Sequence, residues 1–352
     1  MMTWSLCMIV KDEEENLSKC LNSVSGLFDE IIIVDTGSID NTKNIAKKYT
    51  NKIYDFKWID DFSAARNFAF SKATKDYIMW LDADDIILPS DLKKLKKLKN
   101  TLSKNIDIVM LKYNIAFDDN GNPTFSYFRE RIFKRKNKYK WQDRIHEFIM
   151  PTGNVISENI AVTHDKKITE QSSRNLNIYK DMEKNKEHFT PRNLYYYGRE
   201  LYDHKMYQDS IDVLKRFLNT KEGWIEDNIN SCYLISNCYY FLKNNERALE
   251  YLFKTFEFDL PRRKTVCLIG NYFVNNEEID KAIYWYETAL SLPINKNGFY
   301  ESNYDYFIPY LNLSVCYYKK GDYVKSKHYH NLSKKIKPND NLVSKNEKYF
   351  QK

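Results

Sequence analysis

From the first residues to about position 165, short apolar runs alternate with longer stretches in which apolar positions recur every three or four residues. The runs at 5–10 (SLCMIV), 30–35 (EIIIVD), 52–58 (KIYDFKW), 77–82 (YIMWLD) and 107–117 (DIVMLKYNIAF) predict strands, and 13–25, 40–49, 62–73 and 89–102 predict helices between them. Asp40 and Asn41 stand where a cap for the second helix belongs, and Pro89-Ser90-Asp91 opens the fourth. Strand and helix in alternation imply crossover units and a mostly parallel sheet. The strands are nearly uniformly apolar, as strands covered on both faces must be.

After about residue 190 the strand signals stop, and helix, short turn, helix becomes the pattern. Aligned on one small residue, Gly198, Leu201, Tyr207, Ser210 and Leu214 recur as Ser236, Tyr239, Asn245, Ala248 and Leu252. The series continues with Gly270, Phe273, Ile279, Ala282 and Tyr286, then Ser314, Tyr317, Tyr323, Ser326 and His330. The small residues are 38, 34 and 44 apart, close to the roughly 34-residue tetratricopeptide period with insertions. Gly321 and Pro338 give the last unit its turn and its terminator. The repeats resemble tetratricopeptide repeats, which stack into a curved solenoid. The expected layout is therefore an α/β domain over 1–165, a polar linker over 166–191 ending in Pro191, and an all-α solenoid of about four repeats over 192–345.

Composition narrows the classes. With 43% hydrophobic and 29% charged residues, the chain has what a packed core needs and lacks the signature of disorder. The net charge of +7 arises from 55 basic against 48 acidic residues, with lysine runs on helix-like patterns, so solvated helix faces account for it and no nucleic-acid partner is expected. The six cysteines lie far apart with no metal-like spacing, which reads as reduced, buried thiols in a cytoplasmic protein. No run approaches the roughly 18 apolar residues of a membrane span, and the N-terminus lacks the pattern of a signal peptide.

The chemistry is concentrated at the carboxyl ends of the predicted strands, where a parallel sheet holds its ligand. Val10 to Glu13 is one such end, VDTGSIDNT (34–42) is the second, and YIMWLDADDIILP (77–89) is the third. In an extended segment side chains two apart point the same way, so Asp82 and Asp84, flanking Ala83, can address one point. Two hard oxygen donors there suit Mg2+ or Mn2+; the alternative is a strand followed by an acidic helix cap, which Asp85 and Asp91 equally fit. Gly37 and Ser38 offer a tight turn, and Asp35 offers a carboxylate for the polar edge of a nucleotide. Arg66, flanked by small residues in DFSAARNFAF, is free to reach a diphosphate or is an ordinary surface arginine.

Taken in order, these motifs resemble the inverting family 2 glycosyltransferases of the GT-A fold, a Rossmann-like mostly parallel sheet. CMIVKDEEENLSKCLNSV is similar to that family's first strand and helix, EIIIVDTGSIDNT to its nucleotide-binding turn, and AARN and LDADD follow in sequence. Thr36 stands where an aspartate is common. The resemblance implies that Val10, Glu13, Asp35, Gly37 and Ser38 line the nucleotide, that Arg66 lies near the diphosphate, and that Asp82, Ala83 and Asp84 hold a UDP-sugar with its Mn2+ or Mg2+.

An inverting transfer also requires a base on the acceptor side. The resemblance points to Glu147 in RIHEF as that base, with His146 orienting it or serving in its place and Asp143 as a competitor, and to His164 as a third metal ligand or phosphate contact. Arg129, Arg131 and Arg135 either flank the phosphates or form a solvated basic strand. The combination of a short GT-A domain with tetratricopeptide repeats is also similar to the sublancin-type S-glycosyltransferases, which implies a protein or peptide acceptor. The repeats would recruit that acceptor or pair two subunits. Transfer to a lipid-linked or cell-surface glycan, or a scaffold beside an inactive transferase domain, are the other readings.

Overall fold

The computed structural model describes residues 2–117, 121, 123–165, 172–295, 298 and 300–350. They fall into two compact units, Met1–Ile178 and Tyr179–Lys352. The segment predicted as a linker contains a helix over Arg174–Lys184, and its residues 166–171 lie outside the described residues.

In the first unit the elements run β1 (Trp4–Val10), α1 (Leu17–Ser23), β2 (Glu30–Asp35), α2 (Thr42–Ala46), β3 (Ile53–Asp55), α3 (Phe62–Lys72), β4 (Tyr77–Trp80), β5 (Asp85–Ile86), α4 (Pro89–Thr101), β6 (Ile108–Phe117), β7 (Pro123–Lys134) and β8 (Val155–His164). One eight-stranded sheet joins them in the order β3-β2-β1-β4-β7-β6-β8-β5. The β3-β2-β1-β4 half is parallel, as the alternation predicts. β7 then runs antiparallel to both β4 and β6, and β8 lies parallel to β6.

At β1 both faces of the sheet are covered. Its residues Trp4, Leu6, Met8 and Val10 join a core with Leu17, Cys20 and Leu21 of α1, Ile45 and Ala46 of α2, and Leu95 and Leu98 of α4. Cys7, on the opposite face, packs with Ile32, Val34 and Ile78 against Ala69 and Ala73 at the end of α3. The period of two assigns alternate side chains to the two layers. Asp61 caps α3 by accepting the backbone N–H of Ala64 at 2.9 Å, and Asp40 accepts from the N–H of Thr42 at the start of α2 at 2.9 Å.

Strand β7 was not legible as an apolar run, because Arg129, Glu130, Arg131 and Lys134 interrupt it. The solvated basic strand allowed above is not what forms: Arg131 and Phe133 are buried, and Glu130 is 8% exposed.

The second unit is helical. α6 (Pro191–Asp203) pairs with α7 (Tyr207–Thr220), α8 (Ile225–Phe241) with α9 (Asn245–Lys254), α10 (Arg263–Asn275) with α11 (Ile279–Ser291), and α12 (Phe307–Lys320) with α13 (Tyr323–Ile336); α14 (Asn341–Glu347) follows, the Arg174–Lys184 helix counting as α5. The repeated small residue marks where two helices of a hairpin approach. A Cβ on Gly198 would stand 2.4 Å from Leu214, and one on Gly270 would stand 2.7 Å from Tyr286. Where the partner carries a hydroxyl it bonds across the gap: Ser210 Oγ donates to Gly198 O, Ser236 Oγ to Ala248 O and Ser326 Oγ to Ser314 O, at 2.7, 2.8 and 2.7 Å. Tyr195, Tyr197, Tyr286 and Tyr317 are buried in this packing, whereas Tyr240 and Tyr284 are exposed. All six cysteines are buried and free.

Candidate active site

Two loops at the carboxyl ends of β1 and β2 are stitched together. Thr36 N–H and its hydroxyl both donate to the carbonyl of Val10, at 2.9 and 3.2 Å. The N–H groups of Asp12 and Glu13 donate to the hydroxyls of Ser38 (3.0 Å) and Thr42 (2.7 Å), and Ile39 N–H returns a bond to Asp12 at 2.8 Å. Glu13 also accepts from the side chain of Asn16 at 2.8 Å. Asp35 is 1% exposed, and its Oδ1 accepts from the N–H groups of Gly37 and Ser38, both at 3.0 Å. Gly37 takes a φ of +108°, a conformation open to glycine. Asp35 thus builds the turn with one oxygen, while Oδ2 is buried without a hydrogen-bond partner.

The acidic segment does not stay extended. Ala83 and Asp84 form a turn between β4 and β5, closed by Asp85 N–H donating to Asp82 O and Asp82 N–H donating to Asp85 Oδ2, both at 3.1 Å. Ala83 is buried in the core, with half-buried Asp82 and Asp84 on either side of it. β5 pairs antiparallel with the end of β8, with Asp85 opposite His164. His164 Nδ1 lies 3.6 Å from Asp84 Oδ1 and 3.9 Å from Asp85 Oδ1. Among the described residues, Asp84, Asp85 and His164 present ligand atoms all within 4.8 Å of one another. Asp85 Oδ1 is buried with no hydrogen-bond partner. Two carboxylates, one with an unsatisfied oxygen, and an imidazole form a donor set that fits Mn2+ or Mg2+. The Asp85 and Asp84 carboxylates raise the pKa of His164 against the opposing effect of burial, which marks the point as one that favours positive charge.

Asp82 belongs to a different arrangement. Arg66 is 6% exposed and donates from Nη2 to Asp82 Oδ1 and from Nε to Glu147 Oε1, each at 2.7 Å. Its guanidinium lies over the rings of Trp80 (4.6 Å) and Trp141 (5.0 Å). The alternative of an ordinary surface arginine is not what forms: Arg66 is a buried clamp between two carboxylates. Burial would raise the Asp82 carboxyl, but the charges of Arg66, Arg131 and Arg129 outweigh it and hold its pKa down at about 2.

Glu147 is 8% exposed and ends a tight loop, 143–147, closed by the bridge between Gln142 and Phe148. Asp143 and half-buried His146 take φ values of +69° and +51° there, a backbone geometry that carries strain outside glycine. Tertiary bonds hold the loop on α3: Phe62 N–H donates to Arg144 O at 2.8 Å, and Asn67 exchanges hydrogen bonds with the backbone of Trp141 at 2.9 and 3.0 Å. His146 precedes Glu147 in this loop, and the β5–β8 pairing sets His164 opposite Asp85 and within 3.6 Å of Asp84. Arg129 donates to the carbonyl of Glu147 at 3.2 Å, and Arg135 bonds the carbonyl of Lys75 with Nε at 2.5 Å.

The sequence offered Asp85 only as a helix cap, and it did not single out Trp80, Tyr113 or the burial of Arg131. The available signal was the spacing of Arg129 and Arg131, two apart on one strand and hence on one face, opposite a segment with three aspartates.

Over residues 5–161 the chain matches the family described as Glycosyl transferase family 2. This stretch is a family 2 glycosyltransferase domain. The glycosyltransferase domain and the repeats together are similar to the SPbeta prophage-derived glycosyltransferase SunS of Bacillus subtilis (strain 168), 29% identical over 286 residues, 76% of this chain and 64% of that protein. A TPR repeat-containing protein of Synechococcus elongatus is 38% identical over 146 residues, 41% of this chain and 35% of that protein. The lipopolysaccharide core biosynthesis glycosyltransferase LpsC of Rhizobium meliloti is 27% identical over 161 residues, 43% of this chain and 58% of that protein. The chain thus spans less than two thirds of the length of these curated relatives. Among solved structures, glucosyl-3-phosphoglycerate synthase from Mycobacterium tuberculosis in complex with Mn2+ and UDP-glucose aligns with a TM-score of 0.37 and 15% identity, covering 54% of this chain and 81% of that one.

Proposed function

We propose that the chain is a metal-dependent inverting glycosyltransferase that moves one hexose or N-acetylhexosamine from a UDP-sugar, UDP-glucose or UDP-N-acetylglucosamine, to a Ser, Thr or Cys side chain of a protein or peptide. The observation that carries this reading is the Asp84–Asp85–His164 donor set beside the Asp82–Arg66–Glu147 clamp, within a family 2 domain. Asp84, Asp85 and His164 would hold Mn2+ or Mg2+, and the positive charge it would supply suits the diphosphate leaving group. Asp35, with a buried oxygen unsatisfied at the glycine turn, receives the polar edge of the uridine. Asp82 takes a hydroxyl of the donor sugar while Arg66 fixes its orientation. Glu147, steadied by Arg66 at one oxygen, removes the acceptor proton, with His146 beside it. The helical repeats hold the acceptor chain or a second subunit, a reading supported by exposed Tyr240, Phe241 and Tyr284.

Among the described residues no helix is long and apolar enough to cross a membrane. A cytoplasmic enzyme acting on a polypeptide accords with that and with the buried, unpaired cysteines. The likeness to LpsC favours, as a second reading, transfer to a lipid-linked or cell-surface glycan.

The test is release of UDP from UDP-glucose, UDP-N-acetylglucosamine and UDP-galactose with and without Mn2+, comparing the unaltered chain with Asp84→Ala. Metal-dependent turnover abolished in the variant is the expected result. No turnover with any donor overturns the proposal. The intact mass of candidate peptides after incubation with mixed donors then reports sugar and acceptor together.

A further inference from the structure

Arg131 and Asp85 form an ion pair in which neither side chain has any exposed surface. Nη1 of Arg131 donates to Asp85 Oδ2 at 2.9 Å and to the carbonyl of Trp80 at 3.4 Å. The guanidinium lies 3.9 Å from the ring centre of Trp80 and 4.5 Å from that of Tyr113. The Tyr113 hydroxyl in turn meets Nδ1 of His164 at 3.0 Å, and His164 stands opposite Asp85 across the β5–β8 pair. The four side chains close a circuit, Arg131 to Asp85 to His164 to Tyr113 and back to Arg131.

A buried ion pair is a poor source of stability unless its remaining hydrogen-bonding capacity is met. Here it is not met, because Arg131 Nε and Nη2 and Asp85 Oδ1 have no hydrogen-bond partner. Unsatisfied buried atoms call for an explanation other than packing. The orphaned Asp85 Oδ1 is the oxygen that faces His164 at 3.9 Å. Asp82, by contrast, has an arginine of its own in Arg66. The two buried guanidiniums thus divide the aspartates: one takes Asp82, and the other fixes a single oxygen of Asp85.

We propose that Arg131 is a positioning residue, holding Asp85 by Oδ2 so that Oδ1 is presented with Asp84 and His164 to a divalent cation. The inference rests on the metal-dependent reading above for what the cation does, but not for whether it binds. Outer partners of metal ligands set affinity through ligand orientation, and their loss costs about tenfold to a hundredfold.

The decisive measurement is the Kd of Mn2+ alone for the full chain, read from the paramagnetic resonance of free Mn2+, with circular dichroism melting on each sample. Arg131→Lys keeps the charge but loses the planar fork, and about a tenfold weaker Mn2+ affinity with a native melt is expected. A folded Arg131→Lys protein with unchanged Mn2+ affinity overturns the proposal. If that variant does not fold, Asp85→Asn is compared with the double variant Arg131→Gln/Asp85→Asn, which leaves no lone buried charge. The two should bind Mn2+ equally weakly, because Arg131 acts through Asp85. A further loss in the double variant, or native affinity in Asp85→Asn, overturns it. Failure of the unaltered chain to bind Mn2+ also overturns it, whereas Mn2+ binding without UDP-sugar turnover sinks only the transferase reading.

Discussion

Arg66 Nε donates to Glu147 Oε1 across 2.7 Å, joining residues 81 positions apart in the sequence. Arg66 belongs to α3, packed on one sheet face, and Glu147 to a loop pinned against that helix, so the bond is made when the loop docks. It gives the carboxylate a fixed direction, as the base role proposed for Glu147 requires.

Glu147→Gln therefore separates chemistry from architecture. The amide keeps an oxygen for Arg66 but cannot take a proton, so kcat should fall by about a hundredfold or more with UDP affinity and melting unchanged. Steady-state UDP release and calorimetric UDP titration check this. Glu147→Ala should add a stability loss of about 2 kcal/mol, since Arg66 then keeps Asp82 alone.

Asp35 builds the turn with Oδ1, and the proposed function gives its Oδ2 to the nucleotide. Asp35→Asn should keep the Oδ1 bonds from Gly37 and Ser38 and hold stability within about 1 kcal/mol, while weakening UDP binding by about tenfold, worth about 1.4 kcal/mol. Asp35→Ala should lose both. Equal UDP affinity in native protein and Asp35→Asn would remove Asp35 from the nucleotide site.

Glu30 sets an acid limit on the fold. Burial raises its carboxyl, but bonds from Lys52, Ser5 and Thr74 outweigh that and lower its pKa from 4.5 to about 2. A carboxylate depressed on folding stabilises the native state above its unfolded pKa, and that contribution is lost as pH falls through the folded one. The stability from Glu30 is thus complete above pH 4.5 and lost between there and about 2. Glu30→Gln should cost on the order of 2 kcal/mol at pH 7 and flatten the decline over that window, as urea titrations at stepped pH would show.

In the repeats, Gly198→Ala and Gly270→Ala should each destabilise by about 1–3 kcal/mol, because the added methyl meets Leu214 or Tyr286 at less than contact distance. Limited proteolysis of the second unit would register the loss, while the UDP and Mn2+ binding proposed for the first should persist.

Local periodicity in the sequence determined the alternation of strand and helix, the parallel β3-β2-β1-β4 order's ingredients, the helical repeats, and the strand ends at which Asp35, Asp82 and Asp84 stand. These follow from nearest-neighbour rules: which side chains share a face, and which residues a turn admits. Only the tertiary structure decided how the aspartates are used. A turn at Ala83-Asp84 follows β4, and the β5–β8 register sets Asp85 against His164. β7 is charged enough to hide as a strand, and its insertion between β4 and β6 is what buries Arg131 against Asp85 and Trp80. A buried arginine and a solvated one are written identically in a sequence; the partners that make burial tolerable come from strands and loops far along the chain.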